Sequence, residues 1–467
     1  MPCDLCSNRV RRNSFQPLDL RAITGSLAKL KPMARVLGLV LNGVVEDSRV
    51  LKCAYSAAEA GWDSLIIGST RDGSQDQFKV GNARVIRIPI KAPVGTGLLA
   101  KVLRKGRYLY QRIKFRLGVL KPAVPGLSRA IRIASPYALS FKPDVIHAHD
   151  YTALPVAWAL VQELEAKVGY RPKLIYDAHE FLQGTQHLSP LAHQAFSEAE
   201  LAIAQHIDAL LVVSPQMGPM MRDYLKLKFE PVVVANDPIS QGRRESARNL
   251  RTDAGVPTDA SLLVYSGAVA PQRGVGTVVS AIKELPNVFL VVIAQPGNVH
   301  VQNLLQQASS LGIHDRVKTV PYVPNAELVH YLSSADVGLI PLHHRPNHEI
   351  SLITKFGEYA AAHLPILVSD VKTMAAEVRS VGNGEVFIAE DVADCRMAIV
   401  RLLSDLEKYR SAYTPEVLAN RSWERQAESL IACYNAISSQ GIVKAVDAQP
   451  FSLSAPEKLS GPDAVNR

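Results

Sequence analysis

At 467 residues, with 47% apolar and 20% charged residues, the chain is long enough for two domains of about 200 residues each and has an ordinary globular composition. No uninterrupted apolar run reaches the ~18–20 residues of a membrane span, and five cysteines, an odd number, argue against a disulfide framework and for a reducing, cytoplasmic compartment. The net charge of +9 is concentrated, because residues 77–143 hold fifteen Lys and Arg and no acid.

Residues 1–33 read as a loose leader, polar and basic, without the apolar stretch of a secretory signal. Cys3 and Cys6 form a lone CxxC with no second pair to complete a zinc site. The nearly continuous apolar run 34–41 predicts a buried strand. Residues 47–60 predict a helix ended by Gly61, and 64–67 and 84–90 predict further strands. The stretch 101–132 interleaves Lys and Arg with Leu, Tyr, Ile and Phe. Such a segment can lie on an anionic membrane surface, present a solvated face, or bind nucleic acid; no zinc-finger or RRM signature accompanies it, so nucleic acid is not expected as a partner. Strands at 144–147, 173–176, 208–213 and 231–235 alternate with helices at 152–167 and 189–206. That alternation predicts a parallel sheet covered on both faces, in a first domain spanning 34–236.

The polar stretch 237–259 reads as a linker. A second alternation follows, with strands at 261–266, 288–293, 317–320, 337–340, 366–369 and 385–387, in a domain spanning 260–420. A closing helix is expected within 421–438, anchored by Trp423, Leu430, Ile431 and Tyr434. Residues 439–467 lack periodicity and are expected to be disordered.

Ligands of open α/β sheets bind beyond the carboxyl ends of the strands, and chemistry-bearing residues cluster at those ends. Asn42 and Gly43 follow the first strand, with Asp47 and Arg49 beyond; Asp47 also suits a helix N-cap. His147, His149 and Asp150 end the strand DVIHAHD, where alternation sends both histidines to one side. A histidine beside a carboxylate can serve as a base, bind a sugar, or simply be structural; no further ligands make a zinc site. His179 and Glu180 end YDAHE. SGAVAPQRGVG offers Gly267, Arg273 and Gly274, and a guanidinium grips phosphate through two N–H groups. Tyr322 and Val323 follow the strand at 317–320, where Tyr322 could stack on a base or pack in the core.

The segment 347–370, NHEISLITKFGEYAAAHLPILVSD, reads as polar loop, short helix and apolar strand. Ser351 or Thr354 is the expected cap, and Leu352, Phe356 and Tyr359 form a buried stripe. A helix start favours anions, Lys355 adds a full charge, and Glu358 can accept from hydroxyls. The bland alternative for Lys355 and Glu358 is a surface i,i+3 pair.

This segment resembles the second domain of nucleotide-sugar glycosyltransferases of the GT-B fold, which carry a polar loop, Lys, Glu, a small-residue run and a Pro-led strand. Here these are Asn347, Glu349, Lys355, Phe356, Glu358, Tyr359, Ala360, Ala361, His363 and Pro365. The widely shared version spaces its two Glu by eight; here Glu349 and Glu358 are nine apart. The resemblance implies two Rossmann-like, doubly wound α/β domains and a last helix that crosses back to the first. It implies transfer of a sugar from a nucleoside-diphosphate donor to a hydroxyl acceptor, which could be lipid-linked, in polysaccharide or glycoconjugate biosynthesis. Gly267, Arg273, Gly274 and Lys355 would hold the diphosphate. Tyr322, Val323 and Glu358 would meet the nucleoside, and Asn347, Glu349, Ile350 and Ser351 the donor sugar. His149, Asp150, His179 and Glu180 would line the reacting side, with Asn42, Gly43 and Arg49 in the acceptor-side loop. No Asp-x-Asp pair occurs, so neither a metal nor a cofactor is expected. A nucleotide-sugar epimerase of the same fold and a non-catalytic transferase-like scaffold are the alternatives.

Overall fold

The computed structural model describes residues 33–89 except 46 and 71, then 106, 109, 124, 127–240, 248–295, 297–438 and 457–458. The described strands are β1 (Arg35–Leu39), β2 (Asp63–Ser69), β3 (Asp76–Val80), β4 (Ala83–Ile88), β5 (Val145–His149), β6 (Lys173–Ala178), β7 (Ala209–Val212), β8 (Val232–Val233), β9 (Ser261–Ser266), β10 (Val288–Ile293), β11 (Val317–Val320), β12 (Val337–Ile340), β13 (Ile366–Ser369), β14 (Gly384–Phe387) and β15 (Glu457–Lys458). They form two sheets, ordered β15-β3-β4-β2-β1-β5-β6-β7-β8 and β11-β10-β9-β12-β13-β14. Every pairing in the second sheet is parallel.

Burial on both faces explains the apolar runs. In β1, Val36 faces a core with Trp62 and Ile175, while Leu37 and Leu39 face another with Ile146 and Tyr176. The first sheet departs from pure alternation at its edge. β3 pairs antiparallel with β4 through a turn at Gly81, φ +56°. The sequence reading missed β3 because only Phe78 and Val80 of DQFKV are buried, too short a pattern to register.

The basic stretch 101–132 and the CxxC at Cys3 and Cys6 lie largely or wholly outside the described residues. Within 439–467, where no structure was expected, Glu457 and Lys458 pair with β3; the remainder also lies outside. Within 237–259, Leu250–Asp253 is a short helix whose Asn249 cap accepts from Thr252 N, and Leu250 is buried in the second core.

The helix Trp423–Ile437 returns to the first sheet, where Leu430, Ile431 and Tyr434 join the core of Val36 and Trp62. Its first turn is tied by hydrogen bonds to both sides of the junction. Trp423 Nε1 donates to Ser56 Oγ at 2.9 Å, Ala235 N donates to Gln426 Oε1 at 2.9 Å, and Gln426 Nε2 donates to Asp237 Oδ2 at 3.0 Å. Lys52 Nζ, on the helix Ser48–Glu59, donates to Asp237 O at 2.6 Å.

Candidate active site

β5 and β6 are neighbours, with His149 opposite Asp177. Alternation along the two strands aims four side chains at one point. Asp177 Oδ2 lies 3.3 Å from His147 Nε2, 3.3 Å from His149 Nδ1 and 3.4 Å from His179 Nε2. These close contacts lack hydrogen-bond alignment, since all three ring nitrogens are buried and unbonded. Arg49 supplies the aligned bonds, Nε to Oδ2 at 2.9 Å and Nη2 to Oδ1 at 2.6 Å, and its Nη1 donates to Val234 O at 2.6 Å. His147 Nδ1 is 2.7 Å from Tyr434 OH.

Burial pushes the Asp177 carboxyl up, but Arg49 and the histidines outweigh it and hold the group well below the usual carboxylate range. Burial, with His147 beside it, lowers His149 to about 3. For His179 burial is overcome by the Asp177 charge, and its pKa rises. Asp150 adopts φ +70°, a conformation rare outside glycine that concentrates at functional sites. Burial, reinforced by Glu180, raises Asp150 to about 7, and burial also raises Glu180.

The second domain presents cations to the same cleft. The helix Thr354–Ala361 buries Phe356 and Tyr359, and Leu352, just ahead of it, is buried beside them. Its cap differs from expectation. Ile353 is the N-cap without a side-chain bond, because Thr354 Oγ1 instead accepts from Asn236 Nδ2 at 3.1 Å. Lys355 and Glu358 are not a surface pair; burial lowers the lysine to about 8 and raises the glutamate. Lys355 lies under the Gly-rich turn, where a Cβ on Gly267 (φ +120°) would sit 2.7 Å from its Nζ. Gly274 is equally constrained, with φ +69° and room for a Cβ only 1.6 Å from Pro341 O. The Arg273 charge acts on both Lys355 and Glu180. Among the described residues neither Lys355 nor Arg273 is held in an ion pair.

Other expected positions fall differently. Asn347 spans the cleft, its Oδ1 accepting from Phe181 N at 3.1 Å and its Nδ2 3.5 Å from Glu180 Oε2. The Glu349 carboxylate is occupied, bonded to His344 Nδ1 at 2.5 Å and accepting from Lys372 N at 2.9 Å. It thus satisfies the start of the helix Lys372–Val381. Ile350 contributes its carbonyl, which accepts from Ser214 Oγ, and Ser351 ends the helix Pro346–Ile350. Tyr322 is 49% exposed and available for stacking, whereas the Val323 side chain is 8% exposed and belongs to the core, leaving it only backbone to offer. Arg49 lies in the predicted helix but is buried rather than open to an acceptor, its guanidinium consumed by Asp177 and Val234. Asp47 caps that helix through Val50 N. A cavity of about 810 Å³ opens beside Asn42 and Gly43 and reaches Asn236 and Thr354. The sequence reading missed Asp177, although the alternate positions 147, 149, 177 and 179 on adjacent strands carried the signal.

Comparison with known proteins identifies the family and the fold. Residues 47–238 match the glycosyl transferase 4-like domain and residues 246–414 the glycosyl transferases group 1. A D-inositol 3-phosphate glycosyltransferase of Geodermatophilus obscurus is 25% identical over 336 residues, 67% of this chain and 71% of its own. Sucrose-phosphate synthase of Thermosynechococcus elongatus superposes with a TM-score of 0.67 at 18% identity, over 86% of this chain and 99% of its own. Anabaena HepE, solved with UDP and glucose, gives 0.59 at 14% identity, over 86% and 100%. With each half matched in sequence and the whole matched in architecture, the chain belongs to the GT-B glycosyltransferases.

Proposed function

We propose that the protein moves a glycosyl group from a nucleoside-diphosphate sugar to a hydroxyl acceptor in polysaccharide or glycoconjugate biosynthesis, with neither metal nor cofactor. The observation that carries this is the buried Lys355 ammonium beneath the Gly267 turn, with the Arg273 charge acting on it. A buried lysine on which an arginine charge also acts, offset in part by Glu358, favours an anionic ligand. In the reaction the bond from the anomeric carbon to the diphosphate oxygen breaks as a bond to the acceptor oxygen forms. The diphosphate leaves with the bonding pair, and the two cations stabilise its growing charge. The acceptor proton passes to a carboxylate at the cleft. Asp150, raised to about 7, is matched to that task near neutral pH, with Glu180 and His179 beside it.

In this reading Glu358 receives ribose hydroxyls, Tyr322 stacks on the base, and Asn347 sets the gap between the halves. Cys53, His149 and Asp177 bring ligand atoms within 4.8 Å of one another. Arg49 already occupies both Asp177 oxygens, and burial keeps the Cys53 thiol protonated by pushing it up to about 12, so the set does not suit an ion. Three free, buried cysteines support a reducing, cytoplasmic setting. Among the described residues no helix is long and apolar enough to cross a membrane; the basic stretch 101–132 is the proposed contact to an anionic membrane or a lipid-linked acceptor.

The test is nucleotide-sugar binding by calorimetry across a donor panel, with Lys355→Ala as the control. Loss of donor binding with an unchanged circular dichroism spectrum is expected. Donor binding that survives the substitution would remove the proposed diphosphate site.

A further inference from the structure

The helix Ser48–Glu59 buries two cations one turn apart, Arg49 and Lys52. Arg49 is matched by Asp177. Lys52 has no such match: it is 3% exposed, and among the described residues no carboxylate pairs with it. Its Nζ donates to a neutral carbonyl, Asp237 O, at 2.6 Å and lies 4.5 Å from the centroid of the Trp423 ring. Burial, opposed by Asp237 and aided by Arg49, lowers the ammonium to about 8, so it is charged at neutral pH. A buried charge with neutral partners is costly, and a methionine of similar length would fill the space without that cost. The use of the charge lies in where it sits.

Both crossings of the chain between the halves meet at its tip. Asp237 belongs to the segment that leaves β8, and Trp423 to the segment that returns. The two segments are fastened together: Trp423 N donates to Pro238 O at 2.8 Å, and Gln426 Nε2 donates to Asp237 Oδ2 at 3.0 Å. Both also touch the helix Thr354–Ala361. Asn236 Nδ2 donates to Thr354 Oγ1 at 3.1 Å, and a Cβ on Gly357 would fall 2.6 Å from Pro238 Cδ. The Arg421 guanidinium lies 5.9 Å from the centroid of the Phe356 ring. These contact residues are sequence neighbours of Lys355 and Glu358. The contacts thus run from a first-half cation, through the crossing segments, to the backbone carrying the groups assigned to the diphosphate and the ribose. Together with Lys355, the Lys52 charge also opposes the burial that raises Glu358, which favours the ionised, hydroxyl-accepting carboxylate.

We propose that Lys52 is a positioning residue for donor binding: acting from the first half, it clamps residues 236–238 against the returning segment and so fixes the seat of the helix that presents Lys355 and Glu358. The inference rests on the glycosyl-transfer reading for the word donor, and the mechanical link it asserts stands on the contacts alone. A site in the second half is thereby registered to the first through the interior of the junction, in addition to the Asn347 contact at the cleft.

The test compares Lys52→Met, which keeps the bulk and removes the charge and the hydrogen-bond donor, with Leu164→Ala, a truncation in the core of the first half that lowers stability away from the junction. Hydrogen exchange is followed on the full-length, nucleotide-free proteins, each at the same interval below its melting temperature. Amides of 354–361 should exchange about tenfold faster or more in Lys52→Met and at the parental rate in Leu164→Ala. Calorimetry then uses UDP, GDP and ADP, each beside its 2′,3′-dideoxy form. A nucleotide that binds the parent should bind Lys52→Met about tenfold more weakly, with a smaller preference for the ribose form, while Leu164→Ala keeps both affinity and preference. Lys52→Gln, which keeps a neutral hydrogen-bond donor, should fall between the parent and Lys52→Met, and it takes the place of Lys52→Met if that variant does not fold. Parental exchange at 354–361, an unchanged affinity for a nucleotide that the parent binds, or the same losses in Leu164→Ala overturns the proposal. Faster exchange in Lys52→Met, with no nucleotide bound by the parent, defeats the transferase reading alone. Nucleotide binding by the parent that the Lys52 variants leave unmoved defeats the positioning proposal alone.

Discussion

Arg49→Met takes a guanidinium out of a fully buried cluster and leaves the Asp177 carboxylate facing three imidazoles. Breaking a buried pair by removing one partner costs about 3–5 kcal/mol, because the remaining charge has lost both solvent and counter-ion. For a unit of 150–250 residues each kcal/mol moves the melting point by about 2–4 °C, so a drop of about 10 °C or more is expected at pH 8. The dependence on pH should also change direction. In the unsubstituted protein burial lowers His147, and brings His149 to about 3. The unfolded chain then takes up protons below pH 6.5 that the folded cluster refuses, and stability falls as the medium is acidified toward the folded values. His179, which is raised, opposes this in part, being most stabilising below pH 6.5 and losing its contribution as the pH rises through its folded value. Without Arg49 the bare carboxylate draws a proton onto the ring nitrogens around it, so folded histidine pKa values rise above 6.5. The variant should therefore recover stability on acidification where the parent loses it. Adding Asp177→Asn should restore part of the loss, giving a non-additivity of about 1–3 kcal/mol. Thermal denaturation followed by circular dichroism from pH 5 to 9 reads all three effects. A parallel pH profile for parent and Arg49→Met, or strict additivity of the pair, would refute the assignment of the cluster's charge balance to this ion pair.

Nucleotide-diphosphate affinity should be flat below about pH 8 and weaken about tenfold per unit above it, as Lys355 loses its proton; an unchanged affinity from pH 7 to 10 by calorimetry excludes the lysine as the anchor. Gly274→Ala meets Pro341 O at 1.6 Å in a left-handed conformation, whose strain alone is about 1–3 kcal/mol. A large fall in melting temperature or insoluble protein is expected, and a melting point within about 2 °C of the parent contradicts the close approach. Gly357→Ala would place a Cβ 2.6 Å from Pro238 Cδ and 3.0 Å from Asp237 Oδ1. It should tilt the lysine-bearing helix off the junction and weaken donor binding, read by calorimetry, on the order of tenfold; donor affinity equal to the parent's contradicts the close contact.

The strands of the second sheet were legible almost to the residue, because burial on both faces turns its inner strands into apolar blocks bounded by polar turns. The helix Trp423–Ile437 was legible through its four apolar anchors. What escaped were relations between distant segments. Asp177 looked like an interior residue of a motif, and only the register of β5 against β6 makes it the point toward which three histidines turn. Arg49 looked available to an acceptor because nothing local marks a partner 128 positions away. Glu349 looked available, yet folding sets it against Lys372 N, 23 residues on. Side-chain capping also misled at Thr354, where a hydroxyl well suited to its own helix is spent across the junction on Asn236.

Because Trp423, Leu430 and Tyr434 complete the interior of the N-terminal half, the two halves are interlaced rather than strung in series. A single break in the polypeptide cannot release either one whole. A fragment ending before residue 423 would expose Trp62 and Val36 along an open trench, and a fragment beginning after 240 would carry an orphaned amphipathic rod with nothing to lie against. Dissecting this protein into working pieces requires supplying that helix in trans or grafting it onto the half it serves.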